Sequence, residues 1–347
     1  VADLCPRPAG SAERPPCSFG GGLVPVRFAC YRLGIALVLG LSLSLLLSGC
    51  SRPAPLRVGI NPWIGYETLP LAAQLGWLPE GVELHATASF SASAQALAEG
   101  TLDAAGLTLE EMLLARARGT PLSAVLVFDV SAGADMLLAR AEVPSIANLR
   151  GRRVGFESSA LGPLVLSRAL ATVDLTLADV ERQLIPPEEQ FAAWQEGRID
   201  AVVTYGPVAT RLERAGARRL FDSRQMPNAI FDVLAVRRER LDHPALPGLV
   251  EAHFRALAHL EHNRDDALYR IAHRHQATFA EVRDALAGIT LPDLTGNRDL
   301  LRAQGPLYPV AMDLNGLLLA EGLLAAPADL GSLTDERFVQ SLRMTAP

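Results

Sequence analysis

The period of the hydrophobic positions changes in a regular order along this chain. Residues 56–60 read as a strand, and a loop at 61–67 with Gly, Pro and two aromatics leads into a helical pattern at 67–77. Strand-like runs at 82–86, 102–107 and 122–129 alternate with a loop at 87–93 and helical patterns at 94–99 and 109–118. A second series follows, with strands at 153–157, 181–185, 199–204 and 219–221 between helices at 161–173, 188–197 and 208–214. The last third predicts helices at 246–261, 265–275, 279–288, near 310–324 and at 335–343. Strands alternating with helices at this spacing predict an α/β chain with parallel sheets covered on both faces. The unbroken apolar run 122–129 suits a strand buried on both sides. In such sheets ligands bind beyond the carboxyl ends of the strands, so the loop at 61–67 belongs to a cleft.

Two phrases recur, and they suggest two lobes of one topology. Gly100-Thr-Leu-Asp-Ala-Ala105 and Gly197-Arg-Ile-Asp-Ala-Val202 both leave a helix at Gly and enter a strand at Asp-Ala. Asp135-Met-Leu-Leu-Ala-Arg140 is echoed by Asp232-Val-Leu-Ala-Val-Arg237, where the chain should pass between lobes and return. These read as paired hinge strands with Asp135 and Asp232 near the cleft.

Composition narrows the chemistry. The 347 residues, 49% apolar and 20% charged, are enough for two cores. Lysine is absent, which excludes Schiff-base chemistry and a lysine nucleophile. All four cysteines, Cys5, Cys17, Cys30 and Cys50, precede residue 51, so neither a disulfide framework nor a thiol enzyme is expected beyond it. Arg27 and Arg32 precede an apolar run of about fifteen residues, 33–47, shorter than the roughly 20 that a helical span needs. That pattern predicts a secretory signal. Residues 1–25, Pro/Gly-rich, read as an upstream extension from a misplaced start. Without 1–50 the chain holds 28 basic and 36 acidic residues and no basic run, which argues against nucleic acid as a partner.

Leu47-Ser-Gly-Cys50 resembles a lipobox, which implies cleavage before Cys50 and a lipid on its thiol. Ser51 is not the aspartate that resembles an inner-membrane retention signal, which points to the outer membrane of a Gram-negative envelope. Further motifs are Arg57-Val-Gly-Ile60 with its Trp/Tyr loop, the Gly-Xaa-Xaa-Asp-Ala phrase, Asn148-Leu-Arg-Gly-Arg-Arg-Val-Gly155 and Thr204-Tyr-Gly-Pro207. Together they resemble ABC-transporter substrate-binding proteins of the nitrate/sulfonate/taurine type, which include thiamine-pyrimidine-precursor binders. The resemblance implies a type II periplasmic-binding-protein fold, two lobes joined by two hinge strands with a cleft between. The expected division is extension and signal at 1–50, a tether at 51–55, lobe 1 at 56–132 and 236–347, lobe 2 at 140–230, and hinge strands at 133–139 and 231–235. It also implies a monomer that docks on ABC permease subunits, anchored by lipid on Cys50, with no cofactor and no metal.

The cleft loops then nominate ligand contacts. Trp63 and Tyr66 supply flat walls, and Asn61, Ser91, Thr108 and Tyr205 supply hydrogen bonds. The loops carry Glu67, Asp129, Glu157 and Asp232 but no Arg or His. An anionic sulfonate held by charge would want Arg forks, although helix N-termini can also hold anions. A small nitrogen-containing or zwitterionic compound fits the acids better; a sulfonate-like one is implied by the resemblance. Relatives often carry Glu where Gly206 stands here, so ligand identity does not transfer. The alternatives are a sensor subunit that signals to a membrane kinase or cyclase, and a pyrimidine-synthesising enzyme of the same fold. The enzyme's lysine and Cys-rich motif have no counterpart after Cys50. His259 and His262, at i and i+3, could share a helix face but lack the partners of a metal site.

Overall fold

The computed structural model describes residues 53–343. The signal segment, Cys50 and the start of the tether lie outside the described residues. Two sheets organise the described chain. The first has strand order β11-β4-β10-β3-β1-β2, built from β1 (Leu56–Ile60), β2 (Val82–Ala86), β3 (Ala104–Thr108), β4 (Leu122–Ser131), β10 (Phe231–Arg237) and β11 (Ile289–Thr290). The second has order β7-β6-β8-β5-β9, built from β5 (Met136–Ala139), β6 (Arg153–Phe156), β7 (Glu181–Leu184), β8 (Ala201–Thr204) and β9 (Arg218–Asp222). Leave out β11 and the orders match: two parallel strands flank a third, then one antiparallel strand, then the outer strand. This is the type II arrangement of two lobes with a cleft between them.

The segments expected as hinge strands take their places within the two sheets. Residues 136–139 form β5, which pairs with β8 and β9 inside the second sheet. Residues 231–235 belong to β10, between β3 and β4 of the first. Each lobe thus takes its antiparallel strand from the chain that has just left the other. The crossings themselves are 132–135 and 223–230. The strands of the Asp135 and Asp232 phrases, β5 and β10, occupy the same place in their sheets. Arg140 N–H donates to Asp200 O and Arg237 N–H to Asp103 O, both at 3.0 Å.

The Gly-Xaa-Xaa-Asp-Ala phrase has a physical cause. Helix α2 (Phe90–Glu99) ends at Gly100 with φ +73°, and helix α5 (Pro187–Gln195) ends before Gly197 with φ +72°. Glycine takes this left-handed conformation without the Cβ penalty. Asp103 then accepts from the Arg57 backbone N–H at 2.9 Å and its guanidinium at 2.8 and 3.0 Å. Asp200 repeats this with Arg153 at 2.9, 2.7 and 3.1 Å. The bidentate pairs tie the start of β3 to β1 and the start of β8 to β6.

Helix α1 (Thr68–Gln74) is shorter than the 67–77 pattern predicts. A 3-10 turn, Ile64–Glu67, precedes it, and Gly76 stops it. Helix α2 starts at Phe90, not 94, because Ser89 caps it by accepting from Ala92 N–H. Helices α3 (Leu109–Ala117), α4 (Leu161–Ala171) and α6 (Val208–Arg214) follow β3, β6 and β8 in turn. The tail helices α7 (Leu246–His262), α8 (Arg264–His275), α9 (Phe279–Leu286), α10 (Leu294–Leu301), α11 (Leu307–Ala320) and α12 (Arg337–Ser341) pack on the first lobe, α7 against α1, α10 and α12 on β4, and α11 on α3.

Candidate functional site

Strands β1, β3 and β4 end at the edge where β10 begins. A bulge sets what they present: Val233 pairs with Val127, yet Asp232 pairs with Asp129, so Phe128 is the extra residue. Asp129 and Asp232 thereby stand opposite each other on one face. The loop after β1 closes over them. Trp63 Nε1–H donates to Asp129 Oδ2 at 2.9 Å, and the Tyr66 hydroxyl donates to Asp232 Oδ1 at 2.5 Å. Gly65 makes this approach possible, since a Cβ there would lie 1.7 Å from Asp129 Oδ2.

The second lobe supplies the opposite wall. Tyr205, after β8, meets the Trp63 ring edge-on at 5.7 Å and the Phe90 ring at 5.3 Å. Its hydroxyl donates to Glu157 Oε2 at 2.9 Å, while Glu157 Oε1 accepts from Ser91 N–H across the cleft at 3.2 Å. Ser91 Oγ donates to Ser158 O at 3.0 Å. In return Glu111 Oε1, from the first lobe, accepts from Ala160 N–H at 2.6 Å, just before α4. Each lobe therefore lays one of its own carboxylates on a helix N-terminus of the other.

Four acids, Glu110, Asp129, Asp135 and Asp232, lie buried at this junction. Glu110 Oε1 and Oε2, Asp129 Oδ1, Asp135 Oδ2 and Asp232 Oδ2 have no hydrogen-bond donor, and neither Asn61 amide atom nor the Ser159 hydroxyl has a partner. Among the described residues no Arg or His forms an ion pair with any of the four. Burial pushes the Asp129 and Asp232 carboxyls well above the carboxylate range; Asp135 raises both further, and Asp129 adds to the rise of Asp232. Burial also lifts Glu110 well above it and Asp135 to about 6. Glu111 rises to about 7, through burial opposed by the Ala160 N–H. Tyr66 and Tyr205 are held in their neutral form by burial and by the carboxylates that they touch. A cavity of about 330 Å³ opens beside the junction, with Trp63, Met136, Gly206 and Arg224 in its wall.

Of the expected contacts, Asn61, Trp63, Tyr66, Asp129, Glu157, Tyr205 and Asp232 come together here. Three others are differently employed. Glu67 turns toward α8, where Arg274 Nε donates to it at 2.9 Å and His275 Nε2 lies at 2.7 Å. Burial would raise its carboxyl, but these partners outweigh that and hold it below the usual range. Its neutralising partners lie some two hundred residues away in sequence, and so the loop alone concealed them. Thr108 caps α3 by accepting from Glu111 N–H, and Ser91 sits in the first turn of α2. Sequence reasoning named none of Glu110, Glu111 and Phe90 as ligand contacts. Glu111 fell inside a predicted helix and Phe90 in a stretch read as loop.

The fold and this cleft have known counterparts. The NMT1-like family profile matches residues 50–274. A putative aliphatic sulfonates-binding protein of Escherichia coli K12 is 27% identical over 146 residues, 41% of this chain and 46% of that protein. The taurine-binding periplasmic protein of the same organism is 23% identical over 71% of this chain and 80% of its own length. The structure of the alkanesulfonate-binding protein SsuA from Xanthomonas axonopodis pv. citri, bound to MOPS, superposes with TM-score 0.69 at 21% identity, covering 83% of this chain and all of that one. A desulfurization enzyme, DSZB, shares the fold at TM-score 0.59 and 18% identity over 83% of this chain and 98% of its own. The profile match takes in more than half of the sequence, and the chain belongs to the NMT1-like family.

Proposed function

We propose that this protein is an extracytoplasmic solute-binding protein of an ABC importer that captures a small compound by closing two lobes over it. The observation that carries this reading is the junction itself: aromatic walls from both lobes meet over buried polar atoms that the protein leaves unpartnered. Such atoms cost free energy unless a ligand satisfies them. The sulfonates-binding and periplasmic taurine-binding relatives support the binding role and the compartment. The ligand class is a nitrogen-containing, zwitterionic or sulfonate-like compound. Lipid on Cys50 and placement in the outer membrane follow from the sequence around Cys50 alone.

A binding role without turnover is the preferred reading, although an enzyme shares the fold. Residues 53–343 contain neither cysteine nor lysine, so two common nucleophiles are missing from the cleft. The test is identification by mass spectrometry of small molecules that leave the purified chain on unfolding, followed by melting in their presence. A released compound that raises the melting midpoint and is recovered unchanged supports capture. Conversion of that compound, or no stabilisation by anything released or by any amine, zwitterion or sulfonate, overturns it. Cys50→Ala should move the protein from the membrane to the soluble fraction.

A further inference from the structure

We infer that the junction of Asp129, Asp232, Asp135 and Glu110 is the seat of a protonated amine or amidine on the ligand. This rests on the solute-binding reading above and names its ligand class. Five carboxyl oxygens without a donor converge from β4, β10, the 132–135 crossing and α3. An ammonium offers three N–H donors and a guanidinium five, so one cationic head satisfies several of them at once. A second observation is independent of the acids. Asn61 directly follows β1, only 1% exposed, with both amide atoms unpartnered. An amide can accept from the same cation and donate to an oxygen elsewhere on the ligand. The Trp63, Tyr205 and Phe90 rings pack edge-to-face at this junction, and the Trp63 indole is bonded to Asp129. A cation under such rings gains further from their faces.

The same geometry disfavours an anion. The two helix N-termini at the lobe contact, where an anion would lie, are taken by Glu157 on Ser91 N–H and Glu111 on Ala160 N–H. An incoming sulfonate must displace these and then face four buried acids. The basic groups in the wall of the adjoining cavity are already neutralised: Arg224 pairs with Asp222, and Arg219 with Glu213 and Asp222.

Proton traffic distinguishes the two cases. The groups that face one another are Asp129, Asp232, Asp135, Glu110 and the Tyr66 hydroxyl, and no basic side chain is bonded to them. Burial and mutual repulsion raise these carboxyls, so without ligand they hold protons to higher pH than free carboxylates do. A cation favours their ionised forms, so binding releases protons and tightens as pH rises. A sulfonate would do the reverse.

The experiment is titration calorimetry of the full chain with benzylamine, benzamidine and putrescine against benzenesulfonate and taurine. It is run at pH 5.5 and 8, in two buffers that differ in ionisation heat. At least one amine is expected to bind with proton release and to bind more tightly at pH 8. Asp129→Asn and Asp232→Asn should each weaken it by about tenfold or more, the scale of one charge-assisted hydrogen bond, while retaining a cooperative melt. Binding by benzenesulfonate alone overturns the cation seat and leaves the solute-binding reading standing. Amine binding that is indifferent to both variants, or that tightens on acidification, also overturns it. If none of the three amines binds, the cation seat is overturned, and the compound released on unfolding decides the broader reading separately.

Discussion

Asp103 and Asp129 are both buried aspartates of the first sheet, and they live in opposite surroundings. Asp103 is bonded to the Arg57 backbone and guanidinium and to Arg240 Nε. Burial alone would raise its carboxyl, yet those partners bring it down to about 2. Asp129 has one indole donor, a second carboxyl opposite and an oxygen with nothing to accept. The first carboxylate is completed by its own chain and strengthens the fold. The second is left incomplete, so its burial costs stability that a ligand can offset. Buried acids are therefore not one class here; their partners divide scaffold from site. Asp200 with Arg153 falls on the scaffold side, and Asp232, Asp135 and Glu110 fall with Asp129.

The contrast can be broken at its strong end first. Asp103→Ala strands Arg57 and Arg240, both about a third exposed, and should cost about 3 kcal/mol, the low end for breaking a buried ion pair. Urea denaturation measures it; a loss under 1 kcal/mol would mean that the bidentate pair carries no weight. Next comes pH. Glu111 and Asp135 have carboxyls raised to about 7 and about 6, so the folded state holds their protons more tightly than the unfolded chain. Their contribution is least at pH 8 and is regained as pH falls through about 7 and then 6 toward the ordinary carboxylate range. The ligand-free chain should gain about 4 kcal/mol between pH 8 and pH 5 from these two groups. A melting midpoint that falls over that window would contradict the assignment. Asp103 and Glu67, with lowered carboxyls, lose stability only at more acidic pH.

Two smaller effects sharpen the comparison. Gly65→Ala pushes a methyl onto Asp129 and should cost about 2 kcal/mol as overpacking, with weaker ligand binding. Normal stability would show that the loop can lift away from the strand at no cost. Asp129→Asn and Asp232→Asn remove one of two facing acids, so at pH 8 each should stabilise the ligand-free chain, by about 1 kcal/mol, while impairing binding. A stability loss as large as that of Asp103→Ala would place these acids in the scaffold instead.

Much of this could be read from residues in order. The alternation of periods predicted both sheets, and the repeated Gly-Xaa-Xaa-Asp-Ala phrase marked two equivalent helix ends, because a left-handed cap and a strand-tying aspartate are local requirements. Trp63, Tyr66 and Tyr205 were legible because aromatics in a post-strand loop have few other places to go. Helix starts were less so: Ser91 and Ser93 suggested a loop where Ser89 caps a helix.

The sequence by itself determined the two-lobe plan, the lack of lysine and of late cysteine, and the acidic, aromatic character of the cleft loops. These depend on residue type and local spacing. Only the tertiary structure decided which acids are satisfied. Glu67 is neutralised by Arg274 and His275 from a tail helix, whereas Asp129 is set against Asp232 by a bulge between strands a hundred residues apart. A carboxylate's role is fixed by the charges and donors within a few ångströms of it, and long-range packing alone brings those to it.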